Sequence, residues 1–113
     1  KMSLEHLNKY RILWLFVYFD LPVTSKKGKK AYRDFRKNLQ RDGFAMIQYS
    51  IYARHCSSRD NAIVHKKRVK KWIPVKGEVI IFEITDAQFG RMEFFSGAKE
   101  CDRPDTPQQL ELF

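Results

Sequence analysis

Asp20 stands where a carboxylate and phosphate-binding cations come together in this chain. It ends the apolar run that begins at Arg11, and the following segment, 25–41, is rich in lysine and arginine. Because such cations hold phosphate groups, a neighbouring carboxylate is suited to share a divalent cation with phosphodiester oxygens. An aspartate that only accepts hydrogen bonds in the turn before a helix explains the position equally well. The residues therefore make Asp20 a candidate metal ligand and leave the structural role open.

The basic side chains form a candidate surface for phosphate groups. The chain of 113 residues carries 22 Lys and Arg against 13 Asp and Glu, which gives a formal net charge of +9. Charge runs also keep domains soluble, but their density in one segment favours nucleic acid as the partner. Phe35 and Trp72 fall at inward helical positions, which favours duplex DNA bound through its backbone over single strands stacked on exposed rings. The residues predicted to contact DNA are Lys26, Lys27, Lys29, Lys30, Arg33 and Arg36.

The sequence gives little support for histidine catalysis, a zinc or disulfide site, or a membrane segment. His6, His55 and His65 are predicted to lie at the surface without a catalytic role. Cys56 and Cys101 have no C-x-x-C partner and no histidine at ligand spacing, so we expect ordinary reduced thiols. The longest apolar run is shorter than the roughly 20 residues that span a bilayer, and no signal-peptide pattern precedes it. We therefore expect a cytoplasmic protein without membrane contact.

The first half of the chain must place Asp20 at the end of a buried strand. A basic helix follows this strand, and its apolar stripe consists of Ala31, Phe35 and Leu39. The run Phe44–Arg54 is predicted to be extended. Polar residues within it, at Gln48–Ser50, indicate either a bulge in a single strand or a tight hairpin, and the pattern does not decide between them.

The second half of the chain completes the predicted fold. A helix begins after the capping residues Ser57 and Ser58 and is stopped by Pro74, and Gly77–Thr85 follows as a clear strand. The partial alternation of Phe89–Phe95 predicts one more strand at an edge or exchanged between subunits. The order of elements indicates an α+β fold, a ferredoxin-like βαββαβ sandwich with an additional C-terminal strand.

Three segments of the chain resemble the CRISPR-associated Cas-two family, the small partner of the spacer integrase. They are Val17–Pro22, Ile47–Tyr52 and Phe89–Phe95, and they stand in the order and at the spacing of that family. The Asp-Leu-Pro turn followed by the Ile-Gln-Tyr-Ser-Ile-Tyr run is the most specific part. The third segment is most similar to members from compact type II systems.

The resemblance implies a site and a function. It implies a homodimer in which the Asp20 carboxylates of two protomers face each other and hold Mg²⁺ or Mn²⁺, so that Asp20 is both metal ligand and catalytic residue. The implied function is CRISPR adaptation: the protein binds duplex DNA and bridges integrase dimers during spacer acquisition, with a metal-dependent endonuclease site at the dimer interface. Met46 departs from the pattern, because many family members carry a basic residue there. A toxin-type metal-dependent endoribonuclease and a generic RNA-binding module remain as alternatives.

The C-terminal segment is predicted to be a separate functional part. Residues 1–97 form the expected nucleic-acid-binding domain, and residues 98–113 form a linker and a partner-binding tail whose contacts are Leu110, Leu112 and Phe113. Their alternation suits strand addition to a sheet edge, and the family resemblance implies that the partner is the integrase subunit. The tail is also similar to the short peptide by which bacterial replication proteins bind the sliding clamp. Covering an edge of its own dimer is the third explanation.

Overall fold

A four-stranded antiparallel sheet forms the centre of the computed structural model, which describes residues 13–103. The strands lie in the order β2-β3-β1-β4, and α1 and α2 pack on one face of the sheet. This confirms the predicted α+β, ferredoxin-like architecture. The elements of this core are β1 (Leu13–Asp20), α1 (Lys26–Arg41), β2 (Ala45–Gln48), β3 (Ile51–Cys56), α2 (Arg59–Trp72) and β4 (Glu78–Thr85).

Strand β1 is central because both of its faces are apolar. Leu15 and Phe19 point towards the helices, whereas Trp14 and Phe16 point to the opposite face, and all four are almost completely buried. Such a strand is stable only between two other strands and two packing layers. Burial ends at the C-terminal end of the strand, where Asp20 is exposed.

The basic helix α1 forms as the sequence predicts. The Ser25 side chain accepts a hydrogen bond from the Gly28 amide at 2.9 Å, which satisfies one of the free amides of the first turn. Phe35 and Leu39 are buried against β1, and the cationic side chains lie on the outer surface. The helix therefore presents its charges to solvent while its apolar stripe attaches it to the sheet.

An ionic contact joins the end of α1 to α2. The buried His65 places Nδ1 2.6 Å from Oδ2 of Asp42, and Arg68 donates from Nη1 to Oδ1 of Asp42 at 2.7 Å. The predicted surface position of His65 is therefore wrong. Its place in a cationic helix concealed the fact that it faces the capping residue of α1, so that the two helices share a polar contact inside their interface.

Residues Gln48–Ser50 contain both features that the sequence left open. Tyr49 and Ser50 form a hairpin turn between β2 and β3, in which Ser50 has a φ of 64°. The pairing register also shifts by one residue between Met46 and Gln48, which marks a bulge in β2. The buried Ile47, next to the bulge, lies on the face of the sheet opposite the helices.

The C-terminal part of the described chain differs from the prediction. Phe89–Phe95 is not one strand: Thr85 and Gln88 form a capping box that starts α3 (Asp86–Gly90). A hairpin of β5 (Phe94–Ser96) and β6 (Lys99–Cys101) then forms a separate two-stranded sheet. Phe89 stacks on Trp14 with ring centroids 4.1 Å apart, so α3 and the hairpin cover the second apolar face of β1.

The remaining predictions about the organisation of the chain have mixed outcomes. The boundary between residues 97 and 98 stays a prediction, although strand β6 lies on the C-terminal side of it. Leu110, Leu112, Phe113 and His6 lie outside the described residues.

Cys56 is buried and Cys101 exposed, and both are free thiols. Among residues 13–103, none of the helices is long and apolar enough to cross a membrane.

Candidate metal and nucleic-acid site

Asp20 lies directly opposite a second carboxylate. Its Cα partner across the β1–β4 ladder is Glu78, and both residues are exposed. Residues opposite each other in an antiparallel pair project from the same face, and like charges in this position destabilise the sheet. A divalent cation between the two carboxylates would remove that repulsion. Sequence reasoning missed Glu78, because only the strand register brings it to Asp20.

Two glycines allow the turn after Asp20 to lie close to the rest of the fold. A Cβ at Gly77 would lie 2.6 Å from Cδ2 of Leu21 and 2.9 Å from the Asp20 carbonyl oxygen, and φ is 104° at this residue. A Cβ at Gly28 would lie 2.5 Å from the carbonyl oxygen of Pro22. The turn is therefore packed between the first turn of α1 and the loop before β4, which fixes the position of the carboxylate.

The donor set fits a hard divalent cation, but one protomer supplies only part of it. Within residues 13–103, no group of three or more His, Cys, Asp or Glu side chains is arranged to hold a metal ion. Mg²⁺ prefers six oxygen ligands and keeps its waters where protein ligands are few. Asp20 and Glu78 supply oxygen donors of the right kind, so a complete coordination sphere requires water, phosphate or a second protomer.

An uncovered apolar surface lies on the same face of the sheet as Asp20. Tyr18, Ile80 and Phe82 are exposed there by 41%, 55% and 41%, and we call these three residues the open sheet face. Tyr18 is the cross-strand partner of Ile80, one step along the ladder from Asp20 and Glu78. Contiguous exposed apolar residues of this kind mark interaction surfaces.

The predicted DNA-binding residues lie together on α1. Lys26, Lys27, Lys29, Lys30 and Arg33 are exposed and Arg36 is half-buried. Lys30 forms an exposed ion pair with Asp34 at 2.7 Å, which lowers the pKa of the Asp34 carboxyl. The helix lies on the face of the sheet opposite the Asp20 side chain. The cations therefore do not surround Asp20, and a nucleic acid that contacts both must pass along the end of the sheet.

Tyr49 occupies that end of the sheet, between α1 and Asp20. Its ring stacks on the ring of Tyr32 from α1, with centroids 6.4 Å apart and planes 23° apart. Hydrogen bonding with the Tyr32 hydroxyl raises the pKa of Tyr49, and the negative charge of Asp20 acts in the same direction. The hydroxyl therefore lies within electrostatic range of the carboxylate and is protonated at neutral pH.

The histidines of the described chain are placed away from this site. His55 pairs with Trp14 near the start of β1, at the other end of the strand from Asp20, and burial lowers its pKa. His65 faces Asp42 in the helix interface. Within residues 13–103, neither histidine therefore lies beside Asp20.

The amino-acid sequence is similar to one family of known proteins. The family model described as CRISPR associated protein Cas2 matches residues 13–92. A protein of Flavobacterium psychrophilum named CRISPR-associated endoribonuclease Cas2 is 50% identical over 107 residues, which cover 95% of this chain and 93% of that protein. Proteins of the same name from Parvibaculum lavamentivorans and Paracidovorax avenae are 48% and 38% identical, over 89% and 95% of this chain and 100% and 99% of their own lengths.

Proposed function

Since this chain belongs to the family of CRISPR associated protein Cas2, we propose that it is a CRISPR adaptation subunit that binds duplex nucleic acid and carries a metal-dependent endonuclease site at Asp20. The observation that carries this proposal is the exposed Asp20–Glu78 pair at the strand end, next to the turn that leads into the cationic α1. A carboxylate pair with oxygen donors only suits metal-assisted phosphodiester chemistry, and a strand that passes along the end of the sheet can reach both this pair and the cations of α1.

The roles of the residues in this mechanism follow from their positions. Asp20 and Glu78 would hold Mg²⁺ or Mn²⁺, which when bound supplies Lewis-acid polarisation of a phosphodiester oxygen. Arg33 and Arg36 bind backbone phosphates, and Arg can do so with two parallel hydrogen bonds. Lys26, Lys27, Lys29 and Lys30 add charge that attracts the strand without selecting its sequence. The packed turn beside Gly77 keeps the Asp20 backbone in place while the substrate binds.

In this proposal a homodimer completes the site. Asp20 and Glu78 project from the same face as the open sheet face, so pairing of two such faces brings both carboxylate pairs to one interface. Burial of Tyr18, Ile80 and Phe82 supplies the apolar contact for this association. A two-fold arrangement then offers four carboxylates in place of two.

Cleavage of RNA is the second candidate activity, and one observation favours it. The three relatives described above are named endoribonucleases. The same carboxylate pair can serve this reaction, because metal-assisted hydrolysis acts on the phosphodiester and does not depend on the sugar. DNA and RNA substrates must therefore be compared at the same site.

The basic surface of α1 gives the first expected result. Arg33→Ala combined with Arg36→Ala should weaken binding to all duplex sequences alike and make the slope of log K against log salt concentration shallower by about 2. Fluorescence anisotropy over a salt series measures both effects. The control, Arg91→Ala with Lys99→Ala, removes the same charge from exposed sites near α3 and β6. An equal change in slope for both double variants would mean that only net charge matters.

The adaptor role gives the second expected result, which concerns the tail. Deletion of residues 104–113 should abolish copurification with the neighbouring integrase subunit and leave the dimer intact, because alternating Leu110 and Leu112 suit strand addition. Replacement of Leu110, Leu112 and Phe113 by alanine in the full chain should do the same. Loss of sliding-clamp binding alone would support the replication alternative, and loss of the dimer would support edge protection. If integrase binding, sliding-clamp binding and dimer formation are all unchanged, the tail has none of the three proposed roles.

A further inference from the structure

We propose that Tyr49 is a base-stacking residue that receives an unpaired nucleotide beside Asp20, so that the site selects nucleic acid with a single-stranded or frayed segment next to the phosphate to be cut. This inference rests on the proposed function, because it names the substrate feature that the Asp20 site recognises. It departs from the expectation that the protein binds duplex DNA through its backbone and not single strands stacked on exposed rings.

The exposure of Tyr49 is unusual for an aromatic residue in this protein. Its side chain is 75% exposed, which is the largest value for an aromatic residue within residues 13–103. Tyr18 and Phe82, also exposed, belong to the open sheet face, which the proposed dimer would cover. Tyr49 lies at a hairpin tip outside that surface, so dimer formation does not account for its exposure.

The ring is held in place before any ligand arrives. The Ser50 carbonyl accepts a hydrogen bond from the Phe19 amide at 3.1 Å, which attaches the hairpin tip to the end of β1. The Tyr49 ring lies beside the ring of Tyr32, with centroids 6.4 Å apart and planes 23° apart. A ring fixed in this way loses little conformational entropy on binding. Its other face is available to continue the stack with a planar group.

The planar group that fits this position is a nucleobase. The hairpin tip is hydrogen-bonded to Phe19, and the next residue of β1 is Asp20. A base stacked on Tyr49 would therefore place its phosphate near the carboxylate pair. Within the helix, Lys29 and Arg36 lie one turn before and one turn after Tyr32, on the same side of α1. Among the described residues, neither Lys29 nor Arg36 forms a salt bridge with a carboxylate. Both cations can therefore bind the phosphates that flank the stacked nucleotide.

An unpaired base is favoured over a paired one for a steric reason. Bases inside a duplex are covered on both faces by their neighbours, whereas a flipped or single-stranded base offers a free face to an aromatic ring. Stacking on such a ring contributes about 1–3 kcal/mol per base and tolerates any sequence. The proposed contact therefore distinguishes unpaired from paired bases and does not distinguish one base sequence from another.

Two DNA probes test this inference: a blunt duplex, and the same duplex with a single-stranded extension that carries a fluorescent adenine analogue. Binding is measured without a divalent cation, so that the result does not depend on cleavage. Tyr49→Ala and Tyr49→Leu should bind the extended probe about 5- to 100-fold more weakly and the blunt probe unchanged. Tyr49→Phe should bind both probes as the wild type does, and should still quench the analogue at one position of the extension.

Matched variants separate the inference from the proposed function. Phe95→Ala removes another exposed ring, on β5, and should affect neither probe. Equal losses on the blunt and extended probes for Tyr49→Ala would overturn the inference, and so would a loss with Tyr49→Phe, which would indicate a phosphate contact of the hydroxyl. Strand-selective binding without any metal-dependent cleavage would support Tyr49 and refute the nuclease proposal.

Discussion

Asp20→Asn is expected to lower metal-dependent cleavage of nucleic acid by at least about 100-fold while the affinity for duplex stays unchanged. The estimate is a minimum, because loss of groups that only support metal ligands already costs about 10- to 100-fold in affinity or activity. Asparagine keeps the shape of the side chain but removes the negative charge that a hard cation requires. Affinity should persist, since the cations of α1 lie on the other face of the sheet.

Cleavage of matched DNA and RNA strands in Mg²⁺ and in Mn²⁺, followed on gels, measures this effect. Glu78→Gln should reduce cleavage less than Asp20→Asn, because Glu78 enters the site from the neighbouring strand on a longer side chain. Asp102→Asn is the control, since it neutralises an exposed carboxylate that follows β6. Equal cleavage by wild type and Asp20→Asn would show that Asp20 has no role in the reaction. Cleavage of RNA alone would favour the endoribonuclease over the DNA enzyme.

Ile80→Glu is expected to convert the proposed dimer into monomers, with a rise of at least about 100-fold in the dimer dissociation constant. This factor corresponds to about 2.7 kcal/mol. Ile80 is exposed by 55% at the centre of the open sheet face, and a glutamate there would have to lose its hydration inside an apolar interface. The folded protomer should be unaffected, because the side chain faces solvent within it.

Sedimentation velocity over a range of protein concentrations measures the dissociation constant. Val64→Glu is the matched control, because Val64 is similarly exposed, by 46%, but lies on α2. The monomeric variant should also lose cleavage, since within residues 13–103 one protomer offers a single carboxylate pair at this site, Asp20 and Glu78. A wild-type protein that is monomeric at micromolar concentration would refute the interface, and a fully active Ile80→Glu monomer would show that one carboxylate pair is sufficient.

The features that the sequence predicted correctly are those that depend on local patterns. The apolar strand β1 with two buried faces, the basic helix and the position of Asp20 at the strand end follow from side-chain periodicity and turn residues over short stretches of chain. The hairpin at Tyr49 and Ser50 was one of two interpretations, because a bulge and a turn leave similar interruptions in an apolar pattern, and this chain contains both.

The features that were missed depend on contacts between distant segments. Glu78 meets Asp20 only through the register of β1 and β4, which no local pattern specifies. His65 is buried because Asp42 approaches it from another helix, and the basic residues around it hid this contact. In Phe89–Phe95 the alternation of aromatic residues predicts one strand, but Thr85 and Gln88 cap a helix there, and only Phe94 and Phe95 lie in a strand.

The central position of β1 has a consequence for synthesis of the protein on the ribosome. This strand emerges before either of the strands that flank it, β3 and β4. Until β4 is translated, a nascent chain exposes Phe16 without its stacking partner Phe82, and Asp20 has no Glu78 opposite it. Non-local pairing of this kind delays folding and leaves apolar strands open to aggregation. Incomplete chains are therefore expected to need chaperones and to lack the paired carboxylates, so that a nuclease site can form only once translation has passed β4.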